Sequence, residues 1–303
     1  MKQTLPVLLF ITTALCAYVL GASSGLADTR SDNTFVGTHD GFDRLVEYPS
    51  KTEVACPPQT NDMGVLLAAG QSNAANSGEK KFTTAYPRNV FNYFNGKCFV
   101  AASPLLGAFG EDGEFLTPLA DALISKDVYK SVIIVASAIG GTQIQRWQRD
   151  GDLSVMLLHT ITGLQRRYHI TDVIWHQGES DALNFTPTSN YIRSFLSLRS
   201  FLTEHHVIAP MFIAIATHCA QNNWTATNPV ARAQRQLIDN KGVFLGADTD
   251  ALLTDADRKS DGCHMSERGQ IKTATTYAEN IALFHSKRDV YKRQSVMSET
   301  LST

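Results

Sequence analysis

The chain has 303 residues, 43% of them hydrophobic, which is enough for one large domain or two small ones with a full core. Its 27 basic and 29 acidic side chains nearly balance, so the composition creates no strong field of either sign. The sequence therefore implies neither nucleic acid nor an anionic membrane as a partner, and specificity has to come from a local site. The oligomeric state is left open.

Residues 1–27 have the pattern of a cleavable secretory signal peptide. Met1-Lys2 is followed by an apolar run over 5–20 and by small residues at Gly25 and Ala27. The alternative is an uncleaved membrane anchor, but the run is a little short for a bilayer span. We expect a secreted or periplasmic protein that has no membrane contact once the signal is cleaved.

The mature chain keeps an even number of cysteines in a compartment that permits oxidation, namely Cys56, Cys98, Cys219 and Cys263. Two disulfides are therefore expected. Four cysteines allow three pairings, and the count alone does not choose among them. No two of these cysteines have the short C-x-x-C spacing of a zinc site, so we expect no metal ion.

The ordered pattern begins after residue 58, since the polar, turn-rich stretch 28–58 is typical of an irregular lead-in. Five continuous apolar runs then predict strands buried on both faces of a sheet, at 64–69, 131–136, 172–175, 211–216 and 243–247. Amphipathic stretches with helix-start signals lie between and after them, beginning at Thr117, Asp152, Thr186, Asn228 and Ser266.

Strands that alternate with helices predict an α/β fold, a three-layer α/β/α sandwich with a five-stranded parallel sheet. We assign residues 28–285 to a single domain. Residues 286–303 lack a core pattern and are predicted to form a disordered tail. In open parallel sheets the ligand site lies at the carboxyl ends of the strands, so functional residues are expected just after each strand.

A serine and a glycine pair follow the first two strands. Ser72 lies in Gly70-Gln71-Ser72-Asn73, at a strand-to-helix turn that could present a nucleophile and bind an oxyanion at its amides. By itself such a serine is more often a helix cap. Gly140-Gly141 could supply an oxyanion donor, or could only form a tight turn.

Acidic residues and a histidine follow the later strands. The third strand leads into His176-Gln177-Gly178-Glu179-Ser180-Asp181, which is unusually dense in polar groups. Asp261 and His264 are three residues apart in one loop after the fifth strand. A carboxylate that near can fix the imidazole tautomer and support the imidazolium of a Ser-His-Asp system.

Together these blocks resemble the SGNH hydrolase superfamily and, within it, the sialate O-acetylesterases and acetylxylan esterase-like carbohydrate esterases. The matching blocks are G-Q-S-N, G-G-T-x-I-x-x-W, H-Q-G-E-S-D and D-G-x-H, and the resemblance spans residues 64–284. It implies a flavodoxin-like SGNH hydrolase fold. It also implies a serine esterase that removes O-acetyl groups from a carbohydrate through an acyl-enzyme, without a cofactor.

The resemblance assigns catalytic roles to individual residues. Ser72 matches the nucleophile, His264 the base and Asp261 the acid. Glu179 is the alternative acid, since some related esterases use the glutamate of H-Q-G-E. We favour Asp261, because its spacing lets the carboxylate meet Nδ1 while Nε2 faces the serine.

The implied oxyanion hole combines the amide of Ser72, an amide of Gly140 or Gly141, and a side-chain amide. Many relatives use an Asn in a G-x-N-D block, which this chain lacks, and Gln177 is the expected substitute.

Three residues on loops beside the site are candidates for sugar contact, namely Arg146, Trp147 and Trp224. Each could equally serve loop packing.

One other enzyme fold and two other functions remain as alternatives. An α/β-hydrolase would use G-x-S-x-G, whereas Ala74 replaces the second glycine here. A non-catalytic carbohydrate-binding protein could retain the fold, but the intact Ser72, Asp261 and His264 argue against it. A lipase or thioesterase-like SGNH hydrolase would need shelter for a long acyl chain, and the sequence has no long apolar loop for it.

For the disulfides we favour Cys219 with Cys263, because both follow late strands at the edge of the site, and Cys56 with Cys98 by elimination. A bond between Cys219 and Cys263 would brace the loop that carries His264.

Overall fold

The computed structural model describes residues 36–219 and 227–300, with side chains described as far as residue 288. The predicted signal peptide at 1–27 lies outside these residues. Phe35–Thr303 forms one compact unit. In the described part of the chain, none of the helices has the length and apolar character that a membrane crossing requires.

Ten strands form in the described part of the chain. They are β1 (Thr38–His39), β2 (Leu45–Glu47), β3 (Glu53–Val54), β4 (Met63–Gly70), β5 (Val90–Phe94), β6 (Lys97–Val100), β7 (Ser131–Ala138), β8 (Asp172–His176), β9 (Met211–Ile215) and β10 (Val243–Asp248). Eight of them form one sheet in the order β10-β9-β8-β4-β7-β5-β6-β3. The five strands predicted from apolar runs are β4 and β7 to β10. They are neighbours and pair in parallel, which confirms that part of the prediction.

The sheet is larger than the five strands predicted. β5 pairs with β7 in parallel, and β6 and β3 extend that edge in antiparallel pairing. Asn95-Gly96 joins β5 to β6 with φ values of 47° and 82°, as a two-residue hairpin turn requires. The lead-in at 28–58, predicted to be irregular, supplies the short strands β1, β2 and β3.

Seven α-helices form in the described residues. They are α1 (Leu116–Ser125), α2 (Asp152–Gln165), α3 (Glu179–Leu183), α4 (Thr188–Glu204), α5 (Pro229–Leu237), α6 (Thr249–Leu252) and α7 (Glu267–Thr300). The five longer helices begin close to the predicted start signals. Asn228 caps α5 as expected, since its side-chain oxygen accepts a hydrogen bond from the Val230 amide at 2.9 Å.

The last helix is longer than predicted, because it continues to Thr300 through the tail expected to be disordered. Residues 286–300 contain neither glycine nor proline, so no stop signal interrupts the helix. His285 ties α7 to the sheet. Its Nε2 lies 2.9 Å from a carboxylate oxygen of Asp172, which is fully buried at the start of β8.

Two hydrophobic layers lie on opposite faces of the sheet. In β4, Val65 and Leu67 pack with α2, α4 and α5, whereas Leu66 and Ala68 pack with α1 and α7. Every residue of β4 is buried, which explains why the strand is a continuous apolar run in the sequence. The predicted three-layer α/β/α arrangement is confirmed.

Candidate active site

Three neighbouring strands end side by side and bring three of the predicted blocks together. Gly70 of β4 pairs with Ala138 of β7 on one side and with His176 of β8 on the other. Ser72 lies two residues after Gly70, and Gly140 lies two residues after Ala138. The polar block that follows β8 begins at His176 itself. Because adjacent strands are about 4.8 Å apart, the serine, the glycine pair and the polar block meet at one edge of the sheet.

Ser72 begins a single 3-10 turn, Ser72–Ala74, where the sequence predicted the start of a helix. The Ala75 amide closes the turn by donating to the Ser72 carbonyl at 3.0 Å. The serine is 7% exposed. Among the described residues, none forms a hydrogen bond with its hydroxyl, so the hydroxyl is available to a base.

Gly70 lets the chain that leads into the turn Ser72–Ala74 approach β8. Its φ is +136°, and a β-carbon there would overlap the carbonyl oxygen of His176. We expect Gly70→Ala to destabilise the fold by at least about 2 kcal/mol, because both the strained φ and the overlap have to be relieved. Activity should fall as well, since Ser72 would have to move.

Gly163→Ala is the matched control for that prediction. Gly163 lies in α2, and an added β-carbon would meet nothing within 4 Å. This variant should gain about 0.5–1 kcal/mol, as alanine does in a helix interior. Urea unfolding measures both changes, and equal stabilities for the two variants would contradict the close approach at Gly70.

His264 and Asp261 are in direct contact. Nδ1 of His264 lies 2.7 Å from Oδ2 of Asp261, while Oδ1 accepts hydrogen bonds from the amides of Cys263 at 2.8 Å and His264 at 2.9 Å. Burial raises the pKa of Asp261, but these amides and the imidazole outweigh it and hold the pKa below its usual value. The charged carboxylate engages Nδ1, which leaves Nε2 for another partner.

Asn73, the residue after Ser72, joins the turn Ser72–Ala74 to residues 261–265, the histidine loop. Its Nδ2 donates to the carbonyl of Cys263 at 3.2 Å, and its Oδ1 accepts from the amide of Met265 at 3.3 Å. These two residues flank His264. The histidine is therefore held next to the turn that carries Ser72.

Glu179 lies beneath the site and is 2% exposed. Its Oε1 accepts a hydrogen bond from Asn73 Nδ2 at 2.7 Å and lies 3.4 Å from Nε2 of His176, too far for a well-formed hydrogen bond. Burial raises the pKa of Glu179, but His176 and Asn73 together bring it below its usual value. Of the two candidate acids, Asp261 is the one in contact with His264.

Gly140 and Gly141 expose main-chain amides at the same edge. In the described part of the chain, no group accepts a hydrogen bond from either glycine amide or from the amide of Ser72. Gly141 has a φ of +66°, which fits the tight turn expected from the glycine pair. Unpaired main-chain amides are the kind of donor that an oxyanion requires.

Gln177 is not free to serve as a third oxyanion donor in this conformation. Its Nε2 lies 2.5 Å from Oδ2 of Asp181 and 3.0 Å from the Thr142 carbonyl, and its Oε1 accepts from the Tyr191 hydroxyl at 2.9 Å. An amide nitrogen has two hydrogens, so both are already donated. The side chain is fully buried and ties the β8 block to the glycine loop.

Of the three residues expected to contact a sugar, Trp147 needs correction. Trp147 is fully buried, and its ring packs edge-on against Trp175 with ring centroids 5.6 Å apart. It belongs to the core and has no exposed face for a sugar. Arg146 is partly exposed, but its Nη2 pairs with Asp152 at 2.6 Å. Trp224 lies outside the described residues.

Asn73 and Arg258 are two site residues for which the sequence patterns predicted no role. Arg258 is 7% exposed, and its Nη1 donates to the Cys263 carbonyl at 2.9 Å. Burial lowers its pKa against the opposing pull of Glu179 and Asp250. The G-Q-S-N block already contains Asn73, whereas nothing local in the sequence indicates that Arg258 is buried.

Both predicted disulfides form, Cys56 with Cys98 and Cys219 with Cys263. The second joins the segment after β9 to the residue before His264. Among the described residues, no group of three or more His, Cys, Asp or Glu side chains is arranged to hold a metal ion.

The sheet and its two helical layers, with polar residues at one edge, have the fold of SGNH-type hydrolases. The family described as carbohydrate esterase, sialic acid-specific acetylesterase matches residues 62–283. The chain belongs to this family of acetylesterases that act on carbohydrates, and it is therefore a carboxylic ester hydrolase.

Solved structures support the fold. A protein from Arabidopsis thaliana is 20% identical with a TM-score of 0.59, and the match covers 74% of this chain and 98% of that one. The structure of NanS is 16% identical with a TM-score of 0.51, and the match covers 76% of this chain and 100% of that one. The chain matches no curated protein at a significant level.

Proposed function

We propose that the chain is a serine esterase in which Ser72 attacks the ester carbonyl and His264 accepts the serine proton. The observation that carries this proposal is the His264–Asp261 contact of 2.7 Å, in a loop that Asn73 bonds to the nucleophile turn. Asp261 fixes the imidazole tautomer with the proton on Nδ1, so Nε2 is the basic nitrogen.

In the first half of the reaction, the Ser72 oxygen bonds to the acyl carbon as Nε2 of His264 takes the hydroxyl proton. The amides of Ser72 and of Gly140 or Gly141 stabilise the negative charge on the former carbonyl oxygen. His264 then gives its proton to the leaving sugar oxygen, and an acyl-enzyme remains. Water, deprotonated by the same histidine, attacks the acyl-enzyme; the bond between the acyl carbon and the Ser72 oxygen breaks, and His264 returns the proton to that oxygen as acetate leaves.

The acyl group and its carrier follow from the family, whose members are acetylesterases on carbohydrates. We infer an O-acetylated sugar as the substrate, with xylan, sialic acid, pectin and peptidoglycan as the candidates to compare. The two disulfides of the structure support export, and with the signal pattern at 1–27 we place the enzyme outside the cytoplasm, secreted or periplasmic.

A release assay tests the activity and its acyl preference together. The purified mature chain should hydrolyse p-nitrophenyl acetate with kcat/KM about tenfold or more above that for the octanoate ester. The reason is that a long acyl chain needs an apolar groove to shelter it, whereas an acetyl group does not. Acetate release from the four acetylated carbohydrates then identifies the carrier. A preference for octanoate would favour the lipase or thioesterase alternative. Turnover no faster than that of free histidine would leave a sugar-binding protein.

A further inference from the structure

Asn73 is buried and fully engaged with protein atoms. It is 4% exposed. Its Nδ2 donates to Oε1 of Glu179 at 2.7 Å and to the Cys263 carbonyl at 3.2 Å, and its Oδ1 accepts from the Met265 amide at 3.3 Å. Both amide hydrogens and the oxygen are therefore used, so contact with a substrate is not its task.

The main chain around His264 is held by several tethers, and they have different origins. Asp261 holds the loop from within by accepting from the amides of residues 263 and 264. Arg258, from the preceding segment, donates to the Cys263 carbonyl, and the disulfide runs from Cys263 to Cys219. Asn73 differs from these other contacts, because it lies in the turn that carries Ser72 and so links that turn to the main chain around His264.

Glu179 determines which way the Asn73 amide points. An ionised carboxylate accepts hydrogen bonds and cannot donate them, so the NH₂ end of Asn73 has to face it. The oxygen end then faces the Met265 amide, which is the orientation that joins the two loops. The carboxylate thus acts on the histidine loop through Asn73, without touching His264 itself.

We infer that Asn73 is a positioning residue that sets His264 against Ser72, with Glu179 orienting its amide. This inference rests on the proposed function, since it presumes that Ser72 and His264 react together. A misplacement of about 1 Å between reacting groups lowers rates by about a hundredfold. Asn73→Ala should therefore lower kcat about a hundredfold and change KM by less than about threefold.

Asn76 provides the matched control. It lies three residues further along the same segment and is 1% exposed. It also makes a full set of hydrogen bonds, to the carbonyls of Leu105 at 2.9 Å and Gly110 at 3.1 Å and from the Leu105 amide at 2.7 Å. None of these partners belongs to the histidine loop. Asn76→Ala should lose a similar amount of stability in urea unfolding while its kcat stays within about threefold of the parent.

The experiment compares three variants, Asn73→Ala, Asn76→Ala and Ser72→Ala. For each variant, kcat, KM, stability and the rate of labelling by a fluorophosphonate are measured. The labelling rate reports the alignment of serine and histidine without turnover. Asn73→Ser, which keeps a small donor and acceptor, should recover part of the lost kcat and stands in if Asn73→Ala does not fold. Equal kcat in the Asn73 and Asn76 variants, or a loss at Asn73 confined to KM, overturns the inference while the proposed function stands. Retained activity in Ser72→Ala overturns the proposed function itself.

Discussion

Ser72→Ala is expected to lower kcat by about a millionfold, because the hydroxyl oxygen forms the covalent bond of the acyl-enzyme. The stability of the fold should change little. The serine is 7% exposed, and no described residue bonds to its hydroxyl, so the substitution removes one oxygen and breaks no hydrogen bond of the described fold. The measurement is kcat with p-nitrophenyl acetate, joined to urea unfolding of both proteins.

Ser77→Ala is the control, since Ser77 is a buried serine of the same segment, 9% exposed, and lies five positions beyond the proposed nucleophile. Its turnover should stay within about twofold of the parent. Mass spectrometry after fluorophosphonate labelling should find the added phosphonyl group on Ser72 in the parent and in Ser77→Ala. Label on another residue, or activity above about 1% in Ser72→Ala, would show that the nucleophile lies elsewhere.

Local signals carried most of the fold prediction. β4 is predictable because every one of its residues is buried, so the strand is a continuous apolar run that no surface helix would show. The register then follows from parallel pairing, which puts Ser72 and Gly140 at one edge. The hairpin β5–β6 departs from the predicted alternation of strands and helices, although its Asn95-Gly96 turn is a strong hairpin signal.

The errors at the site arise where tertiary packing decides a side chain's environment. Trp147 was a candidate for sugar contact and Gln177 for the oxyanion hole because they belong to the right blocks, yet both are fully buried. A matching sequence motif indicates that a residue lies near the edge of the sheet, but it does not indicate whether the side chain faces solvent or the core. Arg258 illustrates the reverse case, since a charged residue in a polar stretch is expected on the surface until the fold encloses it.

The structure also gives the disulfide pairing a consequence for the site. Cys263 is covalently held to Cys219, while its carbonyl is hydrogen-bonded by Asn73 and Arg258. These three contacts hold the loop at the residue before His264. Asn73 is 190 residues away from Cys263 in the sequence, and no local pattern predicts their contact.

Asp261→Asn is expected to lower kcat about ten-thousandfold, and Glu179→Gln less than about tenfold. In the first variant the asparagine oxygen can still accept from the amides of Cys263 and His264, so the loop should keep its shape. Its NH₂ group, however, then faces Nδ1 of His264 and holds that nitrogen as an acceptor. The ring proton is moved to Nε2, where it blocks proton transfer from Ser72.

Glu179→Gln tests the other carboxylate with an equally small change. The glutamine oxygen can take the place of Oε1 and keep accepting from Asn73 Nδ2, a bond of 2.7 Å in the parent, so only the orienting charge is lost. The two variants are compared by kcat and KM for p-nitrophenyl acetate after urea unfolding confirms that both are folded. Each variant exchanges one carboxylate oxygen for an NH₂ group and leaves the other atoms of the side chain in place. The two losses of kcat can therefore be compared directly, and their ratio decides which carboxylate is the acid. If the loss at Glu179 is about ten-thousandfold and that at Asp261 below about tenfold, the glutamate is the acid of the triad, and the contact between Asp261 and His264 only shapes the loop.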